Sequence, residues 1–140
     1  MNTGRIIISG TGCALADFLY NRVPFESNSF RKYLSVRPGD GGLCPGKLVF
    51  TEELEKFTGK PYSEILEDII GNRKPDALNV GGPSLVSLIH AAQMLEGNDF
   101  IVKFFGMAAK DNTADEIFSL VSKTPLNAEN YLTTSSGATP

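Results

Sequence analysis

The chain has 140 residues, an apolar fraction of 41% and a net charge of −3, which suit one globular domain or one lobe of a larger protein. There is no basic block to neutralise phosphates, which argues against nucleic acid as a main partner. Charges such as Arg5 and Lys103 interrupt the apolar runs, and the sequence therefore predicts no membrane-spanning segment. The two cysteines have no metal-binding spacing and nothing suggests export, so we expect reduced thiols in a cytoplasmic protein.

The first part of the chain alternates between short strands and a loop-rich stretch. Three consecutive isoleucines predict a buried strand over residues 5–10, and a second strand is expected to begin at Asp17. Prolines and glycines interrupt residues 21–46. We expect only short strands here, near 32–36 and near 47–50.

Two helices are predicted next, and each is ended by a glycine. Thr51 is expected to cap the first helix, which stops at Gly59, and the second runs over residues 63–70 to Gly71. Apolar residues recur at helical spacing, with charged residues on the remaining positions. This pattern is typical of helices with one solvated face.

From position 76 onward the pattern is strand, helix, strand, helix, strand. The strands are predicted over residues 76–80, 99–106 and 131–135, and the helices begin at Pro83 and at Asp111 or Thr113. This order is typical of a parallel sheet with crossover helices. Such sheets need cover on both faces, and the sequence stops after the last strand. We therefore expect a truncated architecture whose exposed apolar surface makes the chain a homo-oligomer.

Two features predict a ligand site at strand ends. Asp17 follows the first strand, where open α/β sheets bind ligands, and its carboxylate can accept two hydroxyl hydrogens of a polyol. Gly81 and Gly82 follow a strand and open a helix, so the backbone there can approach a ligand and present free amides. Each feature also has a structural interpretation: a solvated aspartate in the first case and a tight turn in the second.

Two further segments admit more than one interpretation. Gly10 and Gly12 partly match a dinucleotide-binding fingerprint, but no long helix is predicted after them and no acidic residue ends a second strand at the expected distance. Asp111 follows a strand and precedes a helix. It can be an N-cap or a residue close to a substrate.

Taken in order, three segments resemble the ribokinase-type carbohydrate kinases, the PfkB family. GTGCALAD (10–17) resembles the G-x-G-N-A-L-x-D opening of adenosine-kinase-like members, and NVGG (79–82) resembles the first glycine signature. Residues 104–111, from FFG to KD, resemble the F-x-G-x-x-x-x-D segment. The order and spacing agree over nearly all of residues 1–140, and residues 23–75 resemble the small β lid with inserted helices.

The resemblance implies an α/β fold with a Rossmann-like parallel sheet of the ribokinase type and a small β lid. The implied activity is transfer of a phosphoryl group from ATP to a hydroxyl of a sugar, sugar phosphate or nucleoside. Asp17, Gly81 and Gly82 would bind this acceptor, with Cys13 and Asp111 as further residues close to it. ATP and Mg²⁺ are the implied cofactors, bound mostly by residues outside this chain, and no metal ligand is assigned here.

The catalytic base of the family belongs to a G-A-G-D-type motif, which these 140 residues do not contain. No catalytic residue is assigned, and the chain alone is expected to be inactive. Cys13 and Val86 stand where the family usually has asparagine, and Ala114 replaces a glycine, so the substrate stays open. Two alternatives also stay open: a noncatalytic sugar-binding or interaction module, and a dinucleotide-binding domain that uses Gly10 and Gly12.

Overall fold

The computed structural model describes residues 4–139, which form two compact units. One unit contains the residues up to Leu19 and those from Ala77 onward, and the other is Tyr20–Asp76. In the described part of the chain the elements, in order, are β1 Ile6–Thr11, β2 Leu15–Leu19, α1 Asn28–Arg31, α2 Thr51–Thr58, α3 Tyr62–Ile70, β3 Ala77–Gly81, α4 Pro83–Met94, β4 Phe100–Ala109, α5 Asn112–Val121 and β5 Asn127–Thr134.

A parallel sheet organises the first unit, with β4 between β1 and β5. The central strand β4 is rich in phenylalanine, and Val102 and Phe104 are buried. The expectation of a buried β1 is wrong: this strand lies at the edge of the sheet, and Ile6 and Ile7 are 56% and 58% exposed. Parallel neighbours need a crossover connection, and α5 provides it between β4 and β5. The predicted α/β architecture with a parallel sheet is confirmed.

The third strand differs from the expected repetition. β3 does not join the parallel sheet but pairs antiparallel with β2, from Leu15 opposite Gly81 to Leu19 opposite Ala77. Hydrophobic periodicity identifies strands, whereas the choice of partner depends on where the chain returns in space. Here β2 satisfies the backbone of β3, and α4 then carries the chain to β4.

Both helices α4 and α5 pack on one face of the parallel sheet. Leu85 of α4, Phe104 of β4 and Ile117 of α5 are completely buried in this core. The rings of Phe104 and Tyr131 meet edge to face with centroids 5.3 Å apart. Burying each large apolar side chain stabilises the fold by about 1.5–3 kcal/mol. The core therefore fixes the start of α4, where Gly81 and Gly82, the glycine pair, lie.

The opposite face of the sheet is apolar and exposed. We call it the apolar sheet face; its members are Ile7, Phe105, Met107 and Leu132, which are 58%, 42%, 68% and 58% exposed. Strand alternation places them away from the helices, since the neighbouring side chains Ile8 and Phe104 contact the core. Parallel sheets are usually covered on both sides, so this face is unusual for a parallel sheet.

The second unit is mainly helical, with a small core of Tyr33, Leu54 and Ile65. The Tyr33 hydroxyl donates to the carboxylate of Asp68. Burial chiefly raises the pKa of Tyr33, and this hydrogen bond adds to the effect. The predicted stops of α2 and α3 are confirmed, because glycines with positive φ end both helices.

Strands expected near 32–36 and 47–50 are not found in the described part of this unit. A single β-bridge joins Leu34 and Leu43 instead. The intervening turn is stabilised by Asp40, whose carboxylate accepts hydrogen bonds from three backbone amides at 2.8–3.0 Å. These bonds hold its pKa far below the usual range. Local turn chemistry thus replaces the expected strands.

The predicted cap of α2 is shifted by one residue. Phe50 is the N-cap and makes no side-chain capping bond, while Thr51 is the first helical residue. The hydroxyl of Thr51 lies 3.3 Å from the Glu52 carboxylate and serves that side chain rather than the backbone. Glu52 and Glu53 in the first turn favour the helix through its dipole.

Candidate functional site

The paired strands β2 and β3 present different side chains on their two faces. Ala16 and Val80 contact the core, whereas Asp17 and Asn79, which lie opposite each other, are exposed. Because successive side chains of a strand point to opposite faces, Asp17 and Asn79 share the face turned away from the core. Polar groups on this face are available to a ligand without disturbing the packing behind them.

Asp17 and Gly81 lie together, as the predicted site requires. A Cβ atom added to Gly81 would be 2.5 Å from Oδ2 and 3.0 Å from Cγ of Asp17. A side chain at position 81 would therefore displace the carboxylate. Gly81 keeps open the space in which the Asp17 carboxylate lies.

Gly82 is required for a different reason. Its φ is 93°, a value that residues with a Cβ rarely adopt, and an added Cβ would be 2.2 Å from the carbonyl oxygen of Cys13. Gly82 therefore lets the start of α4 lie against the segment that leads into β2. Cys13, Gly81 and Gly82 meet at one point of the first unit.

The beginning of α4 presents unpaired amides at this point. Gly82 is the N-cap, makes no side-chain capping bond, and is followed by Pro83 in the first turn. The first helical bond runs from the amide of Val86 to the carbonyl of Gly82 at 3.0 Å. The amides of Ser84 and Leu85 come before it. Leu85 is completely buried, so the Ser84 amide is the one that can donate to a sugar oxygen or an anion.

The glycines of the opening motif serve packing. A Cβ on Gly12 would be 2.6 Å from the Cβ of Ser84, and one on Gly10 would be 2.8 Å from a methyl group of Leu88. The Ser84 hydroxyl also donates to the carbonyl of Thr11 at 2.8 Å. β2 follows β1 directly, so the helix that a dinucleotide-binding fingerprint needs after its glycines is replaced by a strand.

Cys13 has an exposed, unbridged thiol beside the glycine pair. Its backbone carbonyl makes the close approach to Gly82. Cys44 is also unbridged, belongs to the second unit and is partly buried. The reactivity of each thiol therefore depends on a different unit of the chain.

Asp111 is the N-cap of α5, one of its two predicted roles. One carboxylate oxygen accepts from the amide of Ala114 at 2.8 Å, and the other accepts from the amide of Thr139 at 2.7 Å. The bond from Thr139 and then that from Ala114 chiefly lower the pKa of Asp111. Both oxygens serve the backbone, and a role close to a substrate stays a prediction.

A cavity of the first unit lies elsewhere. It has a volume of about 490 Å³ and is lined by residues that include Arg5, Asp99 and Phe100, at the amino-terminal edge of the parallel strands. Ligands of open α/β sheets bind at the carboxyl edge, so we place the candidate site at Asp17 and the glycine pair rather than in this cavity.

Residues 4–139 contain no group of three or more histidine, cysteine, aspartate or glutamate side chains that could hold a metal ion. No helix between Gly4 and Thr139 is both long and apolar enough to cross a bilayer.

Sequence reasoning missed the position of Asn79 and of Ser84. Asn79 belongs to the glycine signature but had no predicted role, because its place opposite Asp17 follows only from the pairing of β2 with β3. Strand alternation could have placed Asn79 and Gly81 on one face. The packing of Ser84 against Gly12 left no local signal.

Neither a protein-family model nor a curated protein matches the sequence. Among solved structures, the chain is similar to a fructokinase from Xylella fastidiosa with bound ATP, at 17% identity and a TM-score of 0.51. The match covers 96% of this chain and 28% of that chain. A second fructokinase structure from the same organism gives 16% identity and a TM-score of 0.44, with 95% of this chain and 26% of that chain covered.

The chain thus spans little more than a quarter of the fructokinase that it matches first. At this identity the likeness concerns the fold alone. The mixed α/β fold, with its three-stranded parallel sheet, is similar to that of a part of this fructokinase.

Proposed function

We propose that this chain supplies the acceptor-binding part of an ATP-dependent kinase that phosphorylates a hydroxyl of a sugar, sugar phosphate or nucleoside. The observation that carries the proposal is the close approach of the exposed Asp17 carboxylate to Gly81, which is followed by Gly82 at the start of α4. The fold supports the proposal through its likeness to a fructokinase, an enzyme named for a sugar substrate.

The polar groups at Asp17 and at the start of α4 suit a hydroxylated ligand. A carboxylate only accepts hydrogen bonds, so Asp17 binds hydroxyl groups as donors. The amide of Ser84, at the start of α4, donates to a ligand oxygen. The carboxylate and this amide together offer a ligand both an acceptor and a donor, which favours one bound orientation.

Orientation is the main protein contribution to phosphoryl transfer. The reaction needs an acceptor hydroxyl in line with a phosphate whose charge is stabilised. In this proposal Asp17 and the glycine pair position the acceptor and do not act as the base. ATP and Mg²⁺ are the proposed cofactors, and no residue of this chain is assigned to either of them.

Direct binding tests the proposal. The chain is titrated calorimetrically with D-fructose, D-ribose and adenosine, and the same titrations are repeated with Asp17→Ala. Hydrogen bonds to a charged group contribute about 1.5–3 kcal/mol, so the substitution should weaken binding by about 10- to 150-fold. The matched control is Asp99→Ala, which removes an exposed carboxylate at the other edge of the sheet.

Cys13 supplies a second measurement on the same samples. A bound acceptor should slow alkylation of the exposed Cys13 thiol, while Cys44 in the second unit serves as the internal reference. Unchanged affinity in Asp17→Ala would show that this carboxylate does not bind the acceptor. If none of the three compounds binds the unaltered chain, the proposed function itself fails.

A noncatalytic sugar-binding module is the second candidate. The specific observation in its favour is that every residue assigned to the acceptor lies in this chain, whereas no catalytic base is assigned to it. Sugar-dependent consumption of ATP separates the two candidates. The natural protein should consume ATP if it is a kinase, and binding without consumption would favour the module.

A further inference from the structure

Asn79 is an exposed polar residue in the middle of β3 that the fold does not explain. It lies directly opposite Asp17 in the antiparallel register. Asparagine and aspartate are both depleted in strands, so a pair of them at one register position weakens the sheet locally. Departures of this kind from local preference are expected at functional sites.

Neither side chain is used for structure. Within residues 4–139, the side-chain amide of Asn79 and the side-chain carboxylate of Asp17 make no hydrogen bond or ion pair with other protein groups. Both are exposed, and the core contacts of these strands are made by Ala16 and Val80 on the other face. Their hydrogen-bonding groups are therefore free for a ligand.

The two groups are complementary and close. Directly opposite side chains of an antiparallel pair have Cβ atoms about 4.5–5.5 Å apart. Asn79 also shares a face with Gly81, two residues further along β3, over which the Asp17 carboxylate lies. A ligand that reaches the carboxylate thus comes within reach of the amide.

We propose that Asn79 is a specificity-determining residue that, with Asp17, selects acceptors carrying two adjacent hydroxyl groups. One hydroxyl donates to the Asp17 carboxylate, and its neighbour accepts from the side-chain amide of Asn79. This inference rests on the proposed function and narrows the acceptor to polyols with a vicinal diol. A site of this kind discriminates against an analogue that lacks one hydroxyl, because a polar group is then left unpaired.

The test measures dissociation constants for D-fructose, D-ribose and adenosine, each beside its monodeoxy analogues. Asn79→Ala should weaken binding of the parent compound by roughly 2- to 12-fold, the effect of one neutral hydrogen bond. For the analogue that lacks the partner hydroxyl, Asn79→Ala should change nothing. Asn79→Ser keeps a donor and should give an intermediate loss.

The control variant is Asn98→Ala, which removes an amide just before β4, at the other edge of the sheet. Equal weakening for every analogue would indicate a merely structural effect and would overturn the inference. So would parent affinities in Asn79→Ala equal to those of the unaltered chain. If Asp17→Ala still loses affinity in that case, the proposed function survives alone, whereas absence of any binding to the unaltered chain removes both.

Discussion

Gly82 is the position where one added methyl group should disturb the first unit most. Its backbone has a φ of 93°, and the new Cβ of Gly82→Ala would be 2.2 Å from the carbonyl oxygen of Cys13. Cβ atoms essentially never come so close to another heavy atom. Either the segment before β2 or the start of α4 must move, although both are anchored to the core.

The expected magnitude has two parts. Holding alanine at a positive φ destabilises by about 1–3 kcal/mol. Overpacking against backbone atoms, which cannot change rotamer, adds about 1–3 kcal/mol. Together they should lower the free energy of unfolding by about 2–6 kcal/mol.

Gly97 provides the matched control in the same unit. Its φ is 83°, but an added Cβ would meet nothing within 4 Å. Gly97→Ala should therefore show only the backbone part, about 1–3 kcal/mol. The assay is urea unfolding of the unaltered chain and both variants, followed by far-ultraviolet circular dichroism at one temperature. Equal midpoints for the two variants would refute the close approach of Gly82 to the Cys13 carbonyl.

Three further outcomes are expected. Tyr131→Phe should raise the free energy of unfolding by roughly 1 kcal/mol, because the buried hydroxyl has no hydrogen-bond partner within the described residues. If urea unfolding shows a lower free energy of unfolding for this variant, the hydroxyl does have a partner. The apolar sheet face should make the chain self-associate, and the double variant Met107→Lys with Leu132→Lys should sediment more like a monomer. The control Met94→Lys changes an exposed residue on a helix and should leave the sedimentation unaltered. If the unaltered chain is already a monomer, the expectation is wrong. The pKa of Asp111 is lower in the folded chain than its ordinary value of 3.8. Its contribution to stability is therefore present at pH values above 3.8 and is lost as the pH falls through the pKa of the folded state. In Asp111→Asn, the free energy of unfolding should fall less steeply as the pH is lowered. If its dependence on acidic pH is unchanged, other carboxylates are responsible for that dependence.

Local features were predictable because their causes are local. The glycines that end α2 and α3 and the aspartate that caps α5 act on backbone groups within a few residues of themselves. Helical and strand periodicity likewise depends only on spacing along the chain. These signals were enough to place most elements and to identify the α/β class.

Two failed expectations concern a partner distant in sequence or a competing turn. The strands near 32–36 and 47–50 had suitable residues, but Asp40 binds the intervening amides and no strand partner follows. β3 has a clear strand pattern, yet nothing in that pattern distinguishes pairing with β2 from pairing with β4.

The candidate site combines both kinds of information. The sequence by itself determined that Asp17 follows a strand and that Gly81 and Gly82 open a helix, since residue type and order express these properties directly. Only the tertiary structure decided that the carboxylate lies over Gly81, that Gly82 meets the Cys13 carbonyl, and that Asn79 faces Asp17. Such contacts join residues more than sixty positions apart, and they depend on the register of two strands that no local preference specifies.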